Sequence, residues 1–217
     1  ERTRSRPLPS GQTTVKAAVV WMIVQTVLAF AILLTFNPTA ITLGILAMVP
    51  ATIYPFAKRF TWWPQVFLGL AFNWGALLAW TAHSGSLAPP TALLYAAGIS
   101  WTLFYDTIYA HQDIEDDALI GVKSTARLFG HRTPGFLMAF IALTVILMGL
   151  ACLVGIPNNQ PWTQVIGMLG ALSMGAHMLW QLRQLELENT EILLSLFRSN
   201  RNAGLVPVIF FALALLT

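Results

Sequence analysis

Charge is scarce in this sequence. Of 217 residues only 12 are Lys or Arg and 9 are Asp or Glu, so charged residues make up 10% of the chain. A water-soluble domain carries about 25%, and that class is excluded. The formal net charge of +3 gives no footing for nucleic-acid binding, because the basic residues are accounted for by topology below. Cysteine is nearly missing: the one Cys152 sits inside an apolar run, which excludes a disulfide framework and any CxxC metal site. There is no repeat at a 20–50-residue period and no low-complexity linker. The acidic segment DIEDDALIGVKS lacks the ligand spacing of an EF-hand. No signal peptide stands at the start: ERTRSRPLPSGQ is basic, turn-rich and without an initiator Met. The final apolar run, LVPVIFFALALLT, stops short of the roughly 20 residues that span a bilayer. The chain therefore reads as a piece of a longer protein, cut at the N-terminus and at the C-terminus.

What is present is hydrocarbon. The composition is 56% hydrophobic with eight Trp and thirteen Phe, and the mean hydropathy is +0.67. Apolar segments run over 13–36, 39–57, 64–82, 91–110, 134–156, 162–181 and 204–217. They predict an all-α fold: a polytopic transmembrane helix bundle of about seven helices, forming one membrane domain over 1–217. The connections alternate in character. Asn37-Pro38, 83–90 and 156–161 carry no Asp, Glu, Lys or Arg, whereas the N-terminal segment, 58–63, 111–133 and 182–203 carry the charges. The positive-inside rule puts that second face in the cytoplasm or its organellar equivalent.

Five of the nine carboxylates fall in one stretch, YDTIYAHQDIEDDALIGVKSTARLF (105–129): Asp106, Asp113, Glu115, Asp116 and Asp117. On a helix, Asp106, Asp113 and Asp117 would point roughly one way, and like charges at that spacing repel. A cation should offset them, and a divalent metal with oxygen ligands is the natural candidate. Lys123 and Arg127 follow one and two turns later, where they could grip a metal-bound anion. Carboxylates, metal, phosphate and basic residues are the usual parts of diphosphate chemistry. A merely solvated loop is the plain alternative, but Asp106 and Asp113 reach into or next to an apolar helix, where ionisable groups are costly and functional.

A second candidate is Tyr54-Pro55-Phe56-Ala57-Lys58-Arg59. Lys58 and Arg59 there would pair with phosphate oxygens or a substrate carboxylate, Arg59 through its bidentate fork. The same residues also suit an ordinary helix end at a membrane interface. The arginines of RTRSRPLPSG (2–11) suit lipid head groups or an anionic substrate. Asn73 and Trp74, in mid-segment, could line a cavity or pack between helices. His83 and His177 receive no role.

These residues carry a resemblance that runs almost end to end. Through RTRSRPLPSG (2–11), YPFAKRFTWWPQVFLGLAFNWG (54–75) and YDTIYAHQDIEDDALIGVKSTARLFG (105–130), the chain resembles the UbiA family of intramembrane prenyltransferases. The likeness is to its 4-hydroxybenzoate polyprenyltransferase branch, of ubiquinone biosynthesis. The resemblance implies nine transmembrane helices around a central cavity, with two aspartate-rich motifs holding magnesium against a prenyl diphosphate. The second motif, DxxxD, matches Asp113 and Asp117, which would be the Mg2+ ligands, with Asp106 upstream in the extended pattern. The YxxxK element matches Tyr54 and Lys58, with Arg59 adjoining. The first motif, NDxxDxxxD, would precede Glu1 together with two helices, so that seven plus two gives nine and residues 1–217 alone would be inactive.

The function so implied is transfer of a polyprenyl group from polyprenyl diphosphate to the ring of 4-hydroxybenzoate. Asp113, Asp117, Lys58 and Arg59 would be catalytic; Tyr54, Asp106, Lys123 and Asn73 would join Lys58 and Arg59 in binding substrate. Lys58 and Lys123 would neutralise the leaving oxygens, Arg59 would take the aromatic carboxylate, and Trp74 or Phe72 would face the allylic cation. The protein would sit in a bacterial plasma membrane or the mitochondrial inner membrane, its charged face towards cytoplasm or matrix. Another aromatic acceptor within the family is an alternative, and so is a cation-coupled transporter. A transporter would place its carboxylates near the bilayer midplane.

Overall fold

Prolines and small polar caps divide the chain into helices. The structure, a computed structural model, describes residues 5–216; Arg2 and Arg4 of the N-terminal arginine set lie outside the described residues. The first helix, α1 (Val15–Leu33), starts where the Thr14 hydroxyl accepts from the Ala17 N–H at 3.2 Å. Asn37 caps α2 (Pro38–Leu46) in the same way at 3.0 Å, and its amide donates to the Thr81 and Ala82 carbonyls of α5 (Trp74–Ser84). One side chain thus opens one helix and closes the end of another. Proline leads α4 (Pro64–Phe72), α6 (Pro89–Ala110) and α10 (Pro161–Arg183), and is second in α9 (Thr133–Gly155). Its missing N–H costs nothing in a first turn.

Two of the expected spans are broken. Segment 39–57 becomes α2 and α3 (Met48–Phe60), interrupted at Ala47. Pro50 explains the break: it has no N–H for the Leu46 carbonyl and its ring crowds that carbonyl. Segment 64–82 becomes α4 and α5, interrupted at Asn73, whose amide donates to the Gly69 carbonyl at 2.9 Å and competes with the regular ladder. The Trp74 indole N–H then donates to the Leu43 carbonyl at 2.9 Å, joining the two breaks.

The last expected span is corrected. Instead of beginning at 204, α11 runs Thr190–Ala214, so most of the expected 182–203 loop is helical. Its N-cap, Asn189, accepts from the Ile192 N–H at 3.2 Å; the polar first turns hid this helix from a reading based on hydropathy. Counting each broken pair once, the described residues form seven long helical rods. Among the described residues five spans are long and apolar enough to cross a membrane: Val15–Leu33, Pro38–Phe60, Pro64–Ser84, Thr125–Gly155 and Pro161–Arg183. The chain is an integral membrane helix bundle.

Helix α6 is the most enclosed of the long helices and packs chiefly on α9, with α4 and α11 on its other sides. Leu103, Phe104 and Ile108 of α6 meet Leu137, Phe140 and Ile141 of α9, Met174 and Met178 of α10, and Leu193 and Leu196 of α11. Enclosure lets α6 carry hydroxyls: Ser100 donates to the Phe140 carbonyl at 3.0 Å. By contrast α1 buries no residue and is apolar all round, the pattern of a helix surrounded by hydrocarbon.

Candidate active site

The acidic stretch is not one helix. Helix α6 ends at Ala110, a 3-10 turn covers His111–Asp113, and two short helices follow, α7 (Ile114–Leu119) and α8 (Thr125–Phe129). Asp106, Asp113 and Asp117 are therefore gathered by a bend and not by a common helix face, which corrects the expectation from spacing. His111 fixes the bend. Its Nε2 lies 2.9 Å from the Thr133 hydroxyl, which itself donates to the Gly130 carbonyl at 2.7 Å. Thr133 can only accept, so the proton of His111 resides on Nε2. Burial pushes the His111 imidazole down to about 4, holding it neutral.

From the other side, α3 delivers Tyr54, Lys58 and Arg59 on its last two turns. Lys58 Nζ donates to both oxygens of Asp117, at 2.9 and 3.2 Å. The YxxxK and DxxxD elements, 59 residues apart in the chain, thus meet in one ion pair. Asp106 lies within electrostatic reach of both Lys58 and Asp113, and Tyr54 within reach of Asp106. Tyr54, Lys58, Asp106, Asp113 and Asp117 form one cluster. Among the described residues no three His, Cys, Asp or Glu side chains converge tightly enough to hold an ion by themselves.

Two basic residues expected to grip an anion are occupied differently. Arg127 donates to the Val122 carbonyl and, at 3.3 Å, to the Asp117 carbonyl, while its guanidinium lies 5.4 Å from the Trp62 ring centre. It braces the turn that carries Asp117. Lys123 donates through its backbone N–H to the Lys58 carbonyl at 2.9 Å, and its ammonium lies 5.8 Å from the same Trp62 ring. That ammonium also reaches the Phe60 carbonyl at 3.4 Å, a long contact that an anion could replace. Arg59 is exposed, 5.9 Å from the Phe56 ring centre.

Asn73 stands apart from the cluster, on the wall of a groove of about 460 Å³ shared with Phe72, Trp101, Tyr105 and Phe197. Its amide also donates to Thr102 Oγ1 at 2.8 Å, and Thr102 contacts the Tyr105 hydroxyl at 3.3 Å. Tyr105 in turn lies within electrostatic reach of Asp106 and Tyr54, so one residue of the groove wall adjoins the cluster. Trp74 does not line this groove; it packs edge-on to Tyr95 at 5.8 Å. Sequence reasoning missed Trp101, Tyr105 and Phe197, whose rings meet at 5.4 and 5.9 Å. It also missed His111. The 3.6-residue period linking Trp101 to Tyr105 was the available signal for the first set; a lone His gave none.

The model of the UbiA prenyltransferase family matches residues 1–201. The chain is 44% identical over 206 residues to the mitochondrial 4-hydroxybenzoate polyprenyltransferase of Bos taurus, covering 94% of this chain and 54% of that protein. It is 42% identical over 208 residues to the Homo sapiens protein of the same name, again covering 94% and 54%. The chain thus spans about half the length of these curated relatives. A solved apo structure of a UbiA homologue from Aeropyrum pernix K1 superposes with a TM-score of 0.71 at 25% identity, covering 99% of this chain and 77% of that one. With the motif residues assembled and three comparisons in agreement, the chain belongs to the UbiA prenyltransferase family.

Proposed function

We propose that the protein transfers a polyprenyl group from a polyprenyl diphosphate to the ring of 4-hydroxybenzoate, with Mg2+, in ubiquinone biosynthesis. The observation that carries the reading is the Lys58–Asp117 pair beside Asp106 and Asp113: a cation donor and carboxylates share one cluster at a membrane face. The names of the relatives supply the acceptor.

The donor set fits magnesium. Asp113 and Asp117 offer hard oxygen ligands, and Asp117 already holds a positive charge. Magnesium on a diphosphate is typically bound through one or two carboxylates, with water and phosphate oxygens filling the other positions. Bound there, it would draw charge from the diphosphate and ease departure of that group. Lys58 and Lys123 bind the leaving oxygens. The allylic C–O bond breaks, its electron pair leaves with the diphosphate, and a ring carbon of the acceptor forms the new C–C bond and then loses its proton. Arg59 takes the acceptor's carboxylate through its planar fork. The faces of Trp101 and Tyr105 shelter the allylic cation from water and stabilise it. The charged face is directed to the cytoplasm or matrix, following the placement of Lys and Arg. The carboxylates at the end of α6 argue against a midplane transport site.

The test is product formation by the full-length protein in membranes supplied with polyprenyl diphosphate, 4-hydroxybenzoate and Mg2+. The prenylated acid should appear, and chelation by EDTA should stop it. Ion flux across proteoliposomes with no prenylated product would replace this reading with transport.

A further inference from the structure

Around Asp117 the main chain is pinned and one side chain is not. The Asp117 carbonyl accepts from the Val122 N–H at 3.0 Å and from Arg127 at 3.3 Å, and the Lys58 carbonyl accepts from the Lys123 N–H at 2.9 Å. The Asp117 side chain is only 8% exposed, whereas that of Lys58 is 41% exposed. The carboxylate cannot turn out to water, but the four-carbon stem of Lys58 can swing. Both Asp117 oxygens face the Lys58 ammonium, so a second cation cannot take full hold of Asp117 while Lys58 stays.

We infer that Lys58 is the internal counter-cation of Asp117 and must be drawn off by the diphosphate before a divalent cation binds there tightly. The inference rests on the diphosphate reading of this cluster. Departure of Lys58 alone would leave Asp117 buried without its partner and would also take away the cation that offsets Asp106 beside Asp113. Departure is favourable only when a cation replaces the ammonium and an anion receives it. Each ligand therefore strengthens the other by the same factor, and the protein resists binding the metal ion alone. A site masked by an internal partner binds with an affinity reduced by the unmasked fraction.

The experiment titrates Mn2+ into the full-length protein in detergent, following free Mn2+ by electron paramagnetic resonance, with and without a non-cleavable prenyl thiodiphosphate. In the wild type the analogue should tighten Mn2+ binding about tenfold or more. Lys58→Met should bind Mn2+ about tenfold more tightly than the wild type when no analogue is present. Its further gain on adding the analogue should be small. Lys58→Arg keeps a cation on Asp117 and should behave as the wild type. If Lys58→Met does not fold, Lys58→Gln carries the same expectation. Wild-type coupling that persists undiminished in both neutral variants would overturn this inference alone. Absence of any effect of the analogue on Mn2+ in the wild type would overturn the diphosphate reading itself.

Discussion

His111 shows how a single side chain sets the bend that collects the carboxylates. Burial holds it neutral with its pKa near 4, against about 6.5 in the unfolded chain. Between those values the unfolded state binds the proton and the folded state does not. The stabilising contribution is thus complete above pH 6.5 and is lost as the pH falls towards 4. Thermal melts in detergent should show this slope in the wild type, and His111→Gln should flatten it between pH 6.5 and 4; an unchanged slope would contradict the assignment. Nothing in the sequence marked His111, because one histidine between an apolar helix and an acidic turn has no pattern. Asp113, Asp117 and Lys58 were legible, since a carboxylate beside hydrocarbon needs a partner wherever the backbone goes. Arg127 was legible as a cation but not as a brace. Which acceptor a guanidinium finds depends on the path of the 117–123 turn, and the sequence does not encode that path locally.

Helices were readable to the extent that their signals are local. Pro64, Pro89 and Pro161 open helices within two residues of the expected segment starts at 64, 91 and 162, and the seven apolar runs each correspond to a helical rod. The breaks at Ala47 and Asn73 were hidden in continuous apolar sequence, although Pro50 carried the signal for the first. The early start of α11 was masked because its first turns are polar. Close approach of elements was not legible at all. A Cβ on Gly204 of α11 would lie 2.6 Å from the Trp101 ring of α6, and that indole is held by its bond to Asn200 Oδ1 at 2.9 Å. Gly204→Ala should therefore destabilise the bundle by about 1–3 kcal/mol. Gly149, inside α9, has nothing within 4 Å of a built Cβ, so Gly149→Ala should be neutral or add up to about 1 kcal/mol. Comparing the two by denaturation in mixed micelles separates packing from propensity, and equal effects would contradict the α6–α11 contact.

Across the whole molecule, the arrangement divides labour between a membrane body and a charged end. The body is held by α6, α9, α10 and α11, while the end joins α3 to α7 through Lys58 and Asp117. A groove walled by Trp101, Tyr105 and Phe197 opens between α4, α6 and α11. Such a layout suits the ligand proposed above, which needs hydrocarbon for its apolar chain and an interface for its charged head. The overall architecture followed from composition, because so little charge leaves a membrane bundle as the one way to bury the rest. The distinction between catalyst and transporter rests on the charged end. Its most direct measurement is single-turnover prenyl transfer by full-length Asp113→Asn and Asp117→Asn proteins, each verified as folded by its melting curve. Loss of charge stabilisation at a departing diphosphate should slow transfer by about 100-fold or more in both. Near-normal transfer by both variants would contradict the account.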